Sequence, residues 1–266
     1  MAKIGFIGMG NMGYAILKGL LAYMPKEELI FWEVNQKRAA WVQEQVGVVP
    51  AADERDCTAQ VKYLILAVKP QYFEQVMEKI RDFVSPKQVI ISIAAGIDSQ
   101  YLKSKLGSEM RIVRTMPNTP ALVGEGMTGV CLEEENFSPE EIREIERIFN
   151  SFGKMKRVPE RLIDAVGCVS GCSPAYVYMF IEALADGAVK YGLPREDAYE
   201  MAAQTVLGSA RMVLETGLHP GQLKDMVCSP GGTTIEGVSA LEESGFRSAL
   251  IKACDASYEK NAKLKK

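Results

Sequence analysis

Short apolar runs alternate with stretches of helical periodicity over roughly the first third of the chain. The apolar runs are rich in β-branched and aromatic residues and end at turn residues, which is typical of buried parallel strands. We predict strands at 3–7, 29–32, 63–68, 89–93, 111–114 and 126–131, and helices at 12–22, 36–46, 71–83 and 139–152. This alternation indicates a parallel sheet with helices on both faces.

After about residue 159 the strand pattern ends and helix starts and stops follow one another. Ser173 and Pro174 are typical of an N-cap and a first helical residue, and the helix that they open is expected to end near Gly192. Further helices are predicted at 195–216, stopped by Gly217, and at 234–243 and 246–263. We therefore predict two domains, an α/β domain at 1–159 and an all-α domain at 160–266.

The predicted helix at 175–189 is apolar on nearly every face. A helical domain of about a hundred residues can hardly cover such a helix alone, so we expect association of subunits to bury it. A central core helix in a monomer is the alternative.

Composition narrows the classes of function. The chain has 266 residues, of which 47% are hydrophobic, and a formal net charge of −3 with scattered Lys and Arg, so the basic stripe that nucleic-acid binding needs is missing. Glycine interrupts the N-terminal apolar run too early for a signal peptide, and no later stretch is expected to reach the ~18 apolar residues of a membrane span. We expect a cytoplasmic protein without nucleic-acid or membrane partners.

Metal binding is not expected either. The six cysteines include no Cys-x-x-Cys pair and have no nearby histidine to complete a zinc set, so they are interpreted as small buried hydrophobes. The single histidine, His219, precedes a proline at a predicted helix start, which favours a turn-forming role over acid–base chemistry.

The chain carries a phosphate-binding motif at its first strand. Gly8-Met9-Gly10-Asn11-Met12-Gly13 fits G-x-G-x-x-G between a predicted strand and a predicted helix. The first glycine permits the tight turn, the second allows the backbone to approach a pyrophosphate, and the third allows close helix packing. The N-terminal domain is therefore interpreted as a Rossmann-type dinucleotide-binding domain.

The choice between NAD(H) and NADP(H) stays open at this stage. Glu33 ends the second strand, ~20 residues after the glycines, where a carboxylate can accept from a ribose hydroxyl of NAD. Lys37 and Arg38, shortly after Asn35, could instead reach the 2′-phosphate of NADP.

Six motifs spread through the chain resemble the pyrroline-5-carboxylate reductase family, which performs the last step of proline biosynthesis. The resemblance covers essentially the whole chain, and its most specific part is the segment 223–241. The motifs are Ala67-Val68-Lys69-Pro70-Gln71, Ser92-Ile93-Ala94-Ala95-Gly96, Met116-Pro117-Asn118-Thr119-Pro120, Ser170-Gly171-Cys172-Ser173-Pro174-Ala175-Tyr176, His219-Pro220-Gly221-Gln222-Leu223-Lys224-Asp225 and Ser229-Pro230-Gly231-Gly232-Thr233-Thr234.

The resemblance implies hydride transfer from NAD(P)H to the imine carbon of 1-pyrroline-5-carboxylate, and an all-α dimerisation domain whose dimers assemble further. It implies cofactor contacts at Gly8, Gly10, Asn11, Met12, Gly13, Glu33, Asn35, Lys37, Ala67, Val68, Lys69, Pro70, Ala95, Gly96 and Asn118. It implies substrate contacts at Met116, Pro117, Asn118, Ser229, Gly231, Gly232, Thr233 and Thr234. Thr234 and Ser173 are the expected catalytic residues.

One position departs from the family pattern. Gly167 stands where many members have a threonine near the ring nitrogen of the substrate, so a water, Ser170 or Ser173 would have to replace that hydroxyl.

Three other functions compete with this interpretation. Another imine reductase or a hydroxyacid dehydrogenase could share the scaffold, but the latter needs a catalytic lysine, and 175–189 has none. A noncatalytic redox sensor would have no use for a second ligand site at 229–234. An interaction scaffold would leave the glycine turn without a purpose.

Overall fold

The computed structural model describes residues 3–264, in which one sheet of seven strands is present. The outermost residues of both predicted domains, Met1, Ala2, Lys265 and Lys266, lie outside the described residues. The strands are β1 (Ile4–Ile7), β2 (Leu29–Trp32), β3 (Tyr63–Leu66), β4 (Val89–Ser92), β5 (Arg111–Met116), β6 (Gly126–Cys131) and β7 (Gly153–Arg157).

The strand order is β2-β1-β3-β4-β5-β6-β7. The first five strands are parallel, β6 runs antiparallel to β5, and β7 runs parallel to β6. The chain leaves β1 towards β2 on one side and returns to β3 on the other, so the order reverses between β1 and β3. Dinucleotides bind at such a switch point, beyond the carboxyl ends of the strands.

Seven helices accompany this sheet in the described residues. Every residue of β1, β3 and β4 is buried, as expected for parallel strands with helices on both faces, and a separate apolar cluster lies on each face of the sheet. The helices are α1 (Asn11–Leu20), α2 (Gln36–Val46), α3 (Glu54–Ala59), α4 (Phe73–Ile80), α5 (Ser99–Leu106), α6 (Pro139–Asn150) and α7 (Ile163–Val166).

Five helices make up the rest. They are α8 (Ser173–Lys190), α9 (Arg195–Thr216), α10 (Pro220–Val227), α11 (Thr233–Glu243) and α12 (Phe246–Ala262). The chain divides into two compact units: one contains everything up to Cys172 together with the segment from Ser257 onward, and the other is Ser173–Ala256. Because such a division does not establish which parts fold independently, the predicted boundary at 159/160 stays a prediction.

The expected α/β fold is confirmed, and the differences are local. Helices α3, α5 and α7 and strand β7 were not predicted, and for α10 only the start after His219 was predicted. The helix at Ser173 was predicted with a capped start, but the preceding backbone at Cys172 is already helical, so Ser173 is not an N-cap. Gly217 ends α9 in the left-handed conformation as predicted, with φ of 66°.

The apolar helix α8 is largely uncovered. Ala185 is its buried residue, whereas Tyr178 and Met179 are 60% and 67% exposed. The alternative of a core helix in a monomer is therefore wrong. The expectation that no stretch is apolar enough to span a membrane is also wrong by length and composition, because the helical run Glu160–Lys190 passes that test, which by itself is weak evidence for a membrane.

Candidate dinucleotide and carboxylate sites

The glycine turn after β1 has the geometry that the motif predicts. Gly8 has φ of +97°, and a Cβ there would lie 2.7 Å from the carbonyl oxygen of Ala67, while a Cβ on Gly13 would overlap the carbonyl oxygen of Gly8. Gly10 is different, because a Cβ there would meet nothing within 4 Å. Gly10 is also the N-cap of α1 and provides no side-chain cap, so the first turn of α1 keeps N–H groups for an anion.

The strand-end segments expected at the cofactor gather at the same edge of the sheet. Gly8 follows β1 and Ala67 follows β3, and these two residues touch across the switch point. Lys69 precedes a short 3-10 turn that begins at Pro70. Gly96, after β4, has φ of +75°, and the backbone of Leu264 packs against it.

Glu33 lies at the end of β2 and bridges two turns. One carboxylate oxygen accepts from the backbone N–H of Met9 at 2.7 Å, and the other accepts from the N–H of Asn35 at 2.9 Å. Asn35 in turn caps α2 by accepting from the N–H of Arg38, while Lys37 is exposed. The roles of these residues towards a cofactor stay a prediction, and the sequence did not reveal that the Glu33 carboxylate holds the glycine turn.

The Met116-Pro117-Asn118 segment follows the chain out of β5. Asn118 is hydrogen-bonded to an unusual helical turn that lies about 50 residues further along the chain. The Asn118 side chain donates to the carbonyl oxygen of Ser170 at 3.0 Å and accepts from the N–H of Met127 at 2.8 Å. Both ends of this amide are therefore used within the protein. Its role towards a cofactor or substrate stays a prediction, and what the structure adds is a positioning role.

The turn that Asn118 holds is a π-helix at Gly167–Gly171, with the N–H of Cys172 donating to the carbonyl oxygen of Gly167. Such π-turns are frequent at functional sites. A Cβ at Gly167 would lie 3.5 Å from the Met116 side chain, an ordinary contact, so glycine is not forced there by backbone overlap. The Ser170 hydroxyl already donates to the carbonyl oxygen of Val166.

The loop Ser229–Thr234 has the form of an anion cradle. Gly231 has φ of +65°, which favours glycine, and a Cβ on Gly232 would require the Ser229 hydroxyl to move. Gly232 is the N-cap of α11 and makes no side-chain cap, which leaves the N–H groups near Thr233 and Thr234 for a carboxylate. The helix begins at Thr233, one residue before the predicted start.

His219 forms the N-terminal cap of α10. Its Nδ1 accepts from the N–H of Gly221 at 3.0 Å, and the Gln222 side chain accepts from the N–H of His219. The turn-forming role predicted for this histidine is confirmed. Ser173, an expected catalytic residue, begins α8. Within residues 3–264, no cluster of three or more His, Cys, Asp or Glu side chains is arranged to hold a metal ion.

A cleft of about 980 Å³ lies at the opposite, amino edge of the sheet. Its lining includes Lys3, Lys62, Arg111 and Glu141, which are joined in ion pairs with one another or with Glu144. Because these charges already satisfy each other, and because ligands of open α/β sheets bind at the carboxyl edge, the cleft is not the functional site.

Sequence reasoning missed the aromatic pair beside the glycine turn. The rings of Tyr14 and Trp41 lie 4.9 Å apart, and the Arg38 guanidinium lies over both. The spacing of Arg38 and Trp41, three residues apart on one helix, was the available indication.

Two family models match the chain. One, described as pyrroline-5-carboxylate reductase dimerisation, matches residues 160–264. The other, described as NADP oxidoreductase coenzyme F420-dependent, matches residues 3–96.

Full-length proteins and structures agree with these models. A pyrroline-5-carboxylate reductase of Escherichia coli is 48% identical over 99% of this chain and 98% of its own. The structure of a pyrroline-5-carboxylate reductase from Coxiella burnetii superposes with a TM-score of 0.91 at 34% identity, covering 100% of this chain and 99% of the other. That of a pyrroline carboxylate reductase from Plasmodium falciparum with NADP bound gives 0.90 at 34% identity, covering 100% and 98%.

Proposed function

The chain belongs to the pyrroline-5-carboxylate reductase family, and from this premise we propose that it reduces 1-pyrroline-5-carboxylate to L-proline with NADPH or NADH. The observation that carries the proposal is the 48% identity to the Escherichia coli enzyme over 99% of this chain. The reaction would be the last step of proline biosynthesis, in the cytoplasm.

The turn after β1 fits a dinucleotide. Open space at Gly10 and the uncapped start of α1 would accept the pyrophosphate, with Asn11 and Met12 in the first helical turn. The segments Ala67–Pro70 and Ala95–Gly96, at the neighbouring strand ends, would line the rest of the cofactor. The nicotinamide would supply the hydride that reduces the imine carbon.

The residues of this chain would bind and orient the substrate. The N–H groups at the start of α11 and the Thr233 and Thr234 hydroxyls would hold the carboxylate, because uncapped helix N-termini attract anions. Met116, Pro117 and Asn118 would form a wall of the substrate site, and Asn118 would keep the π-turn in place through Ser170. Because a protonated imine is already electrophilic, orientation carries most of the catalysis.

A hydroxyl group would hydrogen-bond to the ring nitrogen of the substrate and supply its proton. Gly167 offers none, and the Ser170 hydroxyl is committed to Val166. Following the family resemblance, Ser173 or a water would take this role, with Thr234 as the hydroxyl that orients the carboxylate end.

The enzyme would work as a homodimer that assembles into a larger homo-oligomer. Residues 160–264 match a family model described by dimerisation, and they carry the large exposed apolar surface of α8. Burial of that surface against a second copy would also explain why Glu160–Lys190 is so apolar without a membrane.

The rival functions have less support. A hydroxyacid dehydrogenase would need a lysine inside α8, whose one lysine, Lys190, is its last residue. A redox sensor would have no use for a second ligand site at the glycine loop before α11.

The direct test is NADPH or NADH oxidation at 340 nm with purified protein and 1-pyrroline-5-carboxylate. We expect oxidation that depends on the imine. Dinucleotide binding without imine-dependent oxidation would favour the sensor instead.

Thr234→Val tests the carboxylate site. Loss of one charge-assisted hydrogen bond, about 1.5–3 kcal/mol, should lower kcat/KM for the imine about 10- to 100-fold. Thr205→Val is the matched control, because the Thr205 hydroxyl donates within α9 to the carbonyl oxygen of Met201. Equal kcat/KM for wild type and Thr234→Val would remove Thr234 from the site.

A further inference from the structure

The peptide units on either side of Met9, in the middle of the glycine turn, are held from two directions. The N–H of Met9 donates to Glu33, and its carbonyl oxygen accepts from Nε of Arg38 at 2.8 Å. The Met9 side chain is fully buried in the core. The turn is therefore fixed by one anchor in the core and by two side chains that follow β2.

The Glu33 carboxylate is occupied by this arrangement. Both of its oxygens accept from backbone N–H groups, those of Met9 and Asn35. A carboxylate that spans two turns in this way is strongly oriented, because charge-assisted hydrogen bonds are short and directional. Glu33 thus acts on the ligand site through the backbone that it holds.

The Arg38 side chain is also constrained, by two aromatic rings and by its hydrogen bond to Met9. Its Cζ lies 4.2 Å from the Trp41 ring centroid and 5.3 Å from that of Tyr14. The bond to Met9 uses Nε alone. Within the part of the chain that the structure describes, neither Nη atom makes a hydrogen bond or ion pair.

A stacked guanidinium with two uncommitted Nη atoms is suited to a phosphate. Arginine binds phosphate oxygens through two parallel N–H donors, and stacking on aromatic rings holds the plane in place at a small entropic cost. The neighbouring Lys37 carries the same charge but is exposed and has no aromatic support. Of the two cations that follow β2, Arg38 is therefore the preorganised one.

We propose that Arg38 is the residue that selects NADPH, by binding the adenosine 2′-phosphate through its Nη atoms. Glu33 is a positioning residue that keeps the glycine turn and Asn35 in register rather than the acceptor of a ribose hydroxyl. This inference rests on the proposed function for its coenzyme, but it concerns the adenosine end and not the imine.

The test separates binding from activity. Isothermal titration calorimetry with adenosine 2′,5′-bisphosphate and with 5′-ADP, which has a free 2′-hydroxyl, compares wild type with Arg38→Met, Arg38→Lys and Lys37→Met. We expect Arg38→Met to weaken the bisphosphate about 10- to 100-fold and 5′-ADP less than about threefold, in line with the loss of a charge-assisted contact. Arg38→Lys should fall between, since it keeps the charge but loses the stack.

Three results would overturn the assignment of Arg38. Arg38→Met could weaken both probes equally, which would mean a role in adenine stacking or in holding the turn. It could leave the bisphosphate unchanged. Lys37→Met could weaken the bisphosphate as much as Arg38→Met does, which would mean a general charge effect.

Glu33→Gln tests the positioning role. The oxygen of the glutamine amide can accept from one of the two N–H groups, but its NH2 group is a donor and would face the other N–H. We therefore expect weaker binding of both probes by similar factors. A loss confined to 5′-ADP would identify Glu33 as the ribose acceptor and overturn its assignment. The protein could also fail to reduce the imine while Arg38→Met still weakens the bisphosphate more than 5′-ADP. That result would support the assignment of Arg38 and contradict the proposed function.

Discussion

In the sheet-containing unit, Phe6, Phe31 and Phe149 are completely buried, whereas the buried residues of Ser173–Ala256 are three alanines, Ala185, Ala198 and Ala202. Burial of one large apolar side chain stabilises a fold by about 1.5–3 kcal/mol. The first unit buries such large side chains within its own chain, whereas the second unit buries none of its large side chains fully. We therefore expect the helical unit to obtain, from the proposed association with a second copy, the stability that the other unit obtains from its own chain.

The largest expected effect comes from a charge placed on that exposed surface. Met179→Glu should raise the dissociation constant of the oligomer about 100-fold or more and abolish most activity, because a buried unpaired carboxylate is very costly. Size-exclusion chromatography with light scattering measures the change. Val49→Glu is the control, since Val49 is equally exposed, at 63%, but lies in the sheet-containing unit. A Met179→Glu protein with wild-type mass and activity would contradict the comparison.

Buried charges distinguish the units in the same way. Arg114 and Asp164 pair at 3.0 Å with side chains 2% and 5% exposed, and Asn261 near the end of α12 also donates to Asp164. Asp164→Ala should lower the free energy of unfolding by up to about 3–5 kcal/mol, because the buried Arg114 then keeps only Glu160, at 3.4 Å, as a carboxylate partner. Urea unfolding at fixed protein concentration gives the value.

The control for that substitution is Glu215→Ala in the helical unit. Glu215 pairs with Arg211 one turn away on α9, and both side chains are about 70% exposed. Such a pair is worth less than about 0.5 kcal/mol. Similar losses for both substitutions would mean that burial does not distinguish the two units.

Two glycines of one turn should separate stability from binding. Gly13→Ala places a methyl group against the Gly8 carbonyl oxygen and should cost about 1–3 kcal/mol of stability, as overpacking does. Gly10→Ala meets no protein atom, so its stability should stay within about 0.5 kcal/mol of wild type. It should still weaken dinucleotide binding about tenfold, because the methyl group would occupy the approach to the pyrophosphate. Unchanged affinity would exclude Gly10 from the site.

The parts of the fold that the sequence predicted are those with local causes. Helix α9 was predicted with its observed bounds, because Pro194 and Gly217 mark both ends. Strand β7 escaped prediction because its polar residues are held by pairing with β6 rather than by an apolar pattern. Helix α3 is only six residues long and depends on the Asp53 cap.

The same distinction between local causes and long-range packing applies to the candidate site. The segments at the ends of β1, β3 and β4 could be predicted, because the carboxyl edge of a parallel sheet collects them. The hydrogen bonds of Glu33, the stacking of Arg38 and the use of the Asn118 amide could not, because they depend on side-chain rotamers and long-range packing. Sequence fixes which residues reach an edge, and packing decides what each side chain does there.

The smallest effect concerns a carboxylate of the sheet-containing unit. Burial alone would raise the pKa of Glu141, but hydrogen bonds from the Ser138 backbone, Lys62 and Arg111 outweigh it and hold the pKa at about 2, below the ordinary value of 4.5. A carboxyl group whose pKa is lower in the folded state binds fewer protons there than in the unfolded chain. Its contribution to stability is therefore complete above about pH 4.5 and is lost as the pH falls towards 2.

Glu141→Gln should remove about 1 kcal/mol at pH 6, a modest value because solvent screens surface-near pairs, and little at pH 2. The free energy of unfolding of the variant should consequently fall less steeply than that of wild type between pH 4.5 and 2. Glu44→Gln, at an exposed carboxylate on α2, is the control for the loss of one surface charge. Parallel slopes for wild type and Glu141→Gln would mean that the ion pairs of Glu141 do not couple proton binding to the folding of the sheet-containing unit.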